Sequence, residues 1–127
     1  MTYNLSGANF NFVFDGHKLV PQGDYTLIYY PDLLPANPWP RTGVICLGSD
    51  IANNGGNVHI AAAVDTGSNL PAAYDTNSTM NADYGKAGAK IWLVESSAVD
   101  CGTGVMSGWN PTEYLFEGDL INFEYMP

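Results

Sequence analysis

Basic residues are scarce in this chain. Lys18, Arg41, Lys86 and Lys90 stand against thirteen Asp and Glu, for a formal net charge of −9 at pH 7. They form no cluster, so phosphate backbones and anionic lipid would be repelled, and nucleic-acid binding is excluded. Charge of either sign is thin, at 13% of residues, about half the usual share. A long solvated helix needs a charged outer face, which this composition cannot supply. No run of 18 apolar residues occurs, which excludes a membrane-spanning helix, and no membrane insertion is expected. The opening MTYNLSGANF lacks the basic and apolar regions of a signal peptide. Either the protein is cytosolic or this is an excised or mature domain carrying a start Met, and the composition favours the second.

Imidazole and thiol are also rare. The only histidines are His17 and His59, and no Gly-x-Ser-x-Gly elbow occurs, so a Ser-His-Asp hydrolase has little to build from. Paired carboxylates for glycoside hydrolysis could be found anywhere among thirteen acids, which makes them uninformative. A small secreted hydrolase is thus the weakest reading, and a non-enzymatic role is expected. The two cysteines, Cys46 and Cys101, suit one disulfide in an oxidising, extracellular compartment; the alternative is two buried free thiols. A bond between them would close a loop of about 55 residues and stabilise the fold by roughly 4 kcal/mol on the chain-entropy model.

What the chain does have is aromatic residues (eight Tyr, five Phe, three Trp) and turn formers. Phe10, Phe12 and Phe14 alternate with Asn9, Asn11 and Val13, the period of two that marks a strand over 8–14. Further strands are expected over 3–5, 25–30, 43–47, 57–64, 90–95, 113–116 and 120–125. Turns are expected at Asp15-Gly16-His17, Pro21–Asp24, Asn53–Gly56 and Gly118-Asp119, the last as a hairpin. In the strand over 57–64, Val58, Ile60 and Ala62 share one face, and His59 and Ala61 the other. No segment has a convincing 3.6-residue period. Length and pattern predict one all-β domain over 1–127: an antiparallel β-sandwich of about 7–8 short strands with two long loops, 31–42 and 65–87. Long loops in a compact domain commonly face ligands or partners.

Those loops and their flanks hold the candidate sites. Tyr29, Tyr30, Trp39 and Trp109 would offer ring faces to a sugar, with Asn and Asp binding its hydroxyls. This is a carbohydrate-binding alternative, with glycan as partner. Asp65, Asp75 and Asp83 are the candidate metal ligands, and calcium is the cation such oxygens suit, although the EF-hand pattern is absent. Two glycosylation triplets stand at Asn4-Leu5-Ser6 and Asn77-Ser78-Thr79.

The run Gly16-His17-Lys18-Leu19-Val20-Pro21-Gln22-Gly23-Asp24-Tyr25-Thr26-Leu27 resembles the opening of immunoglobulin-like domains in prokaryotic cell-surface proteins. Asn54-Gly55-Gly56-Asn57-Val58-His59-Ile60 is similar to a hairpin of the same domains. The resemblance covers about the first half of the chain. It implies that Leu19 anchors a corner, Pro21 begins a turn, and Tyr25 and Leu27 enter the core. It also implies an extracellular structural or adhesive module with no enzymatic role. The chain ends Met1-Thr2-Tyr3 and Phe123-Glu124-Tyr125 are strand-like and apolar enough to bridge copies, so other copies or surface proteins are the expected partners.

Overall fold

The computed structural model describes residues 1–31, 42–70, 89–107, the backbone of 115–116, and 121–127. The strands within them are β1 (Thr2–Tyr3), β2 (Ser6–Gly7), β3 (Phe10–Gly16), β4 (Asp24–Tyr30), β5 (Ile45–Ile51), β6 (Val58–Val64), β7 (Lys90–Glu95), β8 (Val99–Asp100), β9 (Val105–Met106), β10 (Leu115–Phe116) and β11 (Glu124–Tyr125). The fold is all-β, and the one helical turn described is a 3-10 turn at Ser96–Ala98.

Two sheets carry the fold, one ordered β1-β3-β6 and the other β10-β7-β4-β5. All their pairings are antiparallel. The alternating phenylalanines explain the first sheet. Phe10, Phe12 and Phe14 are buried while Asn11, Val13 and Asp15 face out. Opposite them in register, Val58 and Ile60 point inward and His59 and Ala61 outward. Those inward side chains meet Tyr25, Leu27 and Tyr29 of β4, Leu47 of β5, and Ile91 and Leu93 of β7 in one core between the sheets. Leu19 packs against that core and Tyr25 and Leu27 are inside it, as the resemblance implies.

The second sheet is covered on its other face too. Ile28, Tyr30 and Val94 form a separate cluster with Val44 and Met106. The small β8–β9 hairpin supplies part of that cover. Hence β4 is buried from Tyr25 through Tyr30 without alternation, the pattern of a strand with apolar cover on both sides. The Cys46–Cys101 disulfide fixes the cover in place, joining β5 to the turn between β8 and β9.

Three boundaries differ from the sequence reading. Asp15 and Gly16 lie in β3, opposite His59 and Val58, rather than in a turn. β5 continues past Leu47 to Ile51. Gly48, which reads as a breaker, lets the backbone lie close to β6: a Cβ there would come 2.6 Å from Ile60 Cγ2. The last two strands are not a hairpin with each other. β10 pairs with β7, and Ile121 bridges Ala89 on the same edge of that segment. β11 pairs instead with β2, in parallel. Gly118-Asp119 and most of both long loops lie outside the described residues.

Candidate functional site

Tyr29 and Tyr30 are adjacent in an extended strand, so their side chains leave opposite faces of the sheet. Both faces are covered, and both rings are buried. Tyr29 belongs to the inter-sheet core, while Tyr30 stacks on Trp92 with centroids 4.3 Å apart and planes 6° from parallel. Neither is an exposed platform for a sugar, which corrects the sequence reading: the first sheet covers Tyr29, and the cover over the second face of the sheet removes Tyr30 from solvent. Trp39, Trp109, Asp75 and Asp83 lie outside the described residues.

Asp65 is exposed and already engaged. Its Oδ1 accepts the Gly67 N–H at 3.0 Å, a local turn closed by a side chain. It also accepts a hydrogen bond from the Tyr125 phenol, and that bond is the main reason the Tyr125 pKa is raised. Among the described residues, no three His, Cys, Asp or Glu side chains are grouped to hold a metal ion.

The histidines sit near one end of the first sheet, on its outer face. His59 Nδ1 is 2.7 Å from Asp15 Oδ1 across the β3–β6 ladder, and both side chains are more than half exposed. His17 Nδ1 is 2.9 Å from the Asn57 amide oxygen. Asp50 reaches from β5 to accept the His59 backbone N–H at 3.0 Å. Both imidazoles therefore pair with a side-chain oxygen of Asp or Asn, and both cysteines are spent in the disulfide. This is surface cross-strand pairing, worth under ~1 kcal/mol per ion pair.

At the same end a shallow pocket of about 350 Å³ opens beside Val20, Gly23, Tyr25, Glu95 and Ser96. Ser96 Oγ donates to Asp24 Oδ1 at 2.8 Å. Its proton is thereby committed, so Thr26 is the donor in the 2.7 Å Thr26–Ser96 contact. The chain Thr26 to Ser96 to Asp24 satisfies a buried hydroxyl and ties the 3-10 turn to β4. The Tyr25 hydroxyl accepts the Val20 N–H at 3.1 Å, fixing the corner that leads into the same strand. These are the bonds of a braced joint.

The densest polar construction lies where the first and last strands meet. The Asn4 side chain makes three bonds to backbone: it accepts from Asn11 N at 2.9 Å and donates to Ser6 O at 2.9 Å and Asn9 O at 3.0 Å. That pins the bend between β1 and β2. Across from β2, Glu124 N donates to Leu5 O at 2.9 Å and Met126 N to Gly7 O at 2.8 Å. On its other side the final segment is held by Asn69 Oδ1, which accepts Tyr125 N at 2.8 Å, and by two backbone bonds between Leu70 and Phe123. Sequence reading expects strands over 3–5 and 120–125 but not β2 or its pairing with the final strand, because a two-residue strand has no period to detect. The only signal was the Asn4 glycosylation triplet, which points to a different chemistry.

The direction of these strands settles where the chain ends point. β1 runs antiparallel to β3, so upstream of Thr2 the path heads toward Phe14 and Gly16. β11 runs parallel to β2, so downstream of Tyr125 the path heads the other way, past Gly7 toward the Phe10 and Val64 end. The two ends of the chain thus face opposite poles of the sandwich. Compared with protein-family models, with curated proteins and with solved structures, the chain has no match.

Proposed function

We propose that the chain is an immunoglobulin-like, non-enzymatic structural and adhesive module of a secreted or cell-surface protein, associating with copies of itself or with other surface proteins. The observation that carries this reading is a braced sandwich in which β11 pairs in parallel with β2 while the two ends of the chain leave toward opposite poles. A module of this shape can stand in line with neighbours and transmit position along a chain. The strand orders support the immunoglobulin-like part. β1-β3-β6 and β10-β7-β4-β5 follow the A-B-E and G-F-C-C′ pattern of that fold, with a parallel contact between β2 and β11 near the chain ends. The disulfide departs from it, because it staples a hairpin to the outside of one sheet rather than joining two sheets through the core. That bond supports an oxidising compartment. No helix among the described residues is long and apolar enough to cross a membrane.

The non-enzymatic reading is supported by what the polar groups do. The Ser96 hydroxyl points at a carboxylate with no imidazole in its chain, and each imidazole is tied to a side-chain oxygen. The test is homotypic adhesion. Beads coated with the folded protein, together with light scattering over a concentration series, should show reversible clustering and a rising mean mass. A strict monomer at high concentration, with beads that stay dispersed alone and beside cell-surface extracts, would remove the adhesive part.

A further inference from the structure

We propose that two copies of this chain join at the free edge of β6: segment 61–65 of each pairs antiparallel with the same segment of the other about a two-fold axis at Ala63, and the two β1-β3-β6 sheets become one. This deepens the reading of a self-associating module, rests on it, and names the surface used. β6 is the last strand of its sheet, with β3 on one side and no strand on the other among the described residues. The phase of the ladder tells which backbone groups are left over. Asn11 gives its N–H to Asn4 Oδ1 and takes the Asn4 N–H on its carbonyl, so both groups point away from β6. In an antiparallel ladder its partner Ala63 then points both of its own groups away from β3. His59, in the same phase of β6, gives its N–H to Asp50 Oδ2 of β5. Ala61 lies between the two and shares their orientation. Along this edge the His59 donor is therefore capped from within the molecule, while the N–H groups of Ala61 and Ala63 have no partner among the described residues.

Proteins normally blunt such an edge with Pro, Lys, a bulge or an inward charge. The other sheet does so at β5, which holds Asp50 and shifts register against β4. β6 reads Val-His-Ile-Ala-Ala-Ala-Val and pairs with β3 without a shift. Burial marks the same stretch. Val58 and Ile60 point inward and are buried, but Ala62 and Val64, on that inward face, are only partly covered. The core is thus open where the backbone is open. A second β6 fits this edge in charge and shape. Copies carrying −9 repel in general. Asp15, Asp24 and Asp50 stand in β3, β4 and β5, whereas β6 has no Asp, Glu, Lys or Arg, so approach along β6 costs the least repulsion. A two-fold at Ala63 sets Ala63 against its counterpart as a hydrogen-bonded pair. It sets Ala62 against Val64 on the inward face, so the two half-covered positions cover each other. It sets Ala61 against Asp65, so no acid faces an acid. A register centred on Ala61 would instead bring Ala63 of the second copy against His59, whose N–H Asp50 already holds.

The experiment is sedimentation of the full chain over a concentration series from micromolar to millimolar. Wild type should show a reversible monomer–dimer equilibrium. Ala63→Pro deletes a donor that the fold itself does not use, since the Ala63 N–H faces away from β3. It should weaken dimerisation on the order of tenfold or more, with circular dichroism reporting an intact sheet. A charge pair tests the register and stands alone where the Pro variant does not fold. Ala63 is exposed, so Ala63→Asp and Ala63→Lys leave the core untouched. Each alone places like charges directly opposite and should dimerise less than wild type; mixed, the two should form a mixed dimer more readily than either forms its own. Wild type that associates while all three variants associate equally well would overturn the β6 edge and leave the self-associating reading standing on another surface. Wild type that stays monomeric to millimolar concentration would overturn both. A mixture no better than its components would overturn the two-fold at Ala63.

Discussion

Asn4 shows how much one short polar side chain can hold. Its amide nitrogen gives both hydrogens to Ser6 O and Asn9 O, and its oxygen takes the Asn11 N–H. Net worth per bond is about 0.5–1.5 kcal/mol, so Asn4→Ala should lower unfolding stability by roughly 1.5–3 kcal/mol, read from denaturant midpoints. A loss under ~0.5 kcal/mol would mean that water replaces these bonds without cost. The same geometry predicts that the folded protein is not glycosylated at Asn4 despite its triplet, because Nδ2 is occupied; exposing the folded chain to a glycosylating extract and weighing it by mass spectrometry checks it. Tyr125 gives a pH signature. Its pKa is raised mainly by the hydrogen bond to Asp65. A raised folded pKa means the contribution is fully present below the unfolded value near 10 and fades as pH climbs through the folded value. The wild type should therefore lose stability above about pH 10 more steeply than Tyr125→Phe. Asp65→Asn should bring the Tyr125 ultraviolet titration back toward the ordinary range, and an unshifted titration would show that the bond does not exist in solution.

At the scale of elements, legibility followed periodicity. β3, β4, β6 and β7 were readable because Phe10-x-Phe12-x-Phe14, the Tyr25–Tyr30 run, Val58-x-Ile60 and Ile91–Val94 carry their own pattern. β2, β8 and β9 were not, because two residues cannot establish a period; β11 falls within the strand expected over 120–125, but its pairing with β2 was hidden because the partners lie at opposite ends of the chain. The covering of the second sheet was equally hidden. A continuous apolar run cannot say whether it has one neighbour or two, so Tyr29 and Tyr30 read as exposed candidates when they are core. The cysteine pair was readable as a bond, though its job was not. Since it staples the β8–β9 hairpin over Ile28, Tyr30 and Val94, replacing both cysteines by Ser should cost about 4 kcal/mol on the chain-entropy model. Hydrogen exchange should then rise first at Val99–Met106, with β3 and β6 still protected. Uniform loss of protection would show that the staple supports the whole sandwich instead.

For the molecule as a whole, the two apolar clusters pose a question of cooperativity. Phe12 is buried between the sheets, whereas the disulfide closes the cover over the outer face of the second sheet. They share β4 and β5 but no direct contact is needed for either. Phe12→Ala should cost about 3–5 kcal/mol through lost burial and the cavity left behind. The double cysteine replacement should cost about 4 kcal/mol. Domains of this size hold only ~5–15 kcal/mol in total, so each change alone should leave a cooperative melt at a lower midpoint. Sites this separate should add within about 0.5 kcal/mol, and the combined loss of roughly 8 kcal/mol should bring the triple variant to the edge of unfolding at 25 °C. A coupling energy above ~1 kcal/mol would mean that β4, buried on both faces, transmits strain from one cluster to the other. In that case the disulfide would tune the inter-sheet core directly, and the module would have to be treated as one three-layered unit.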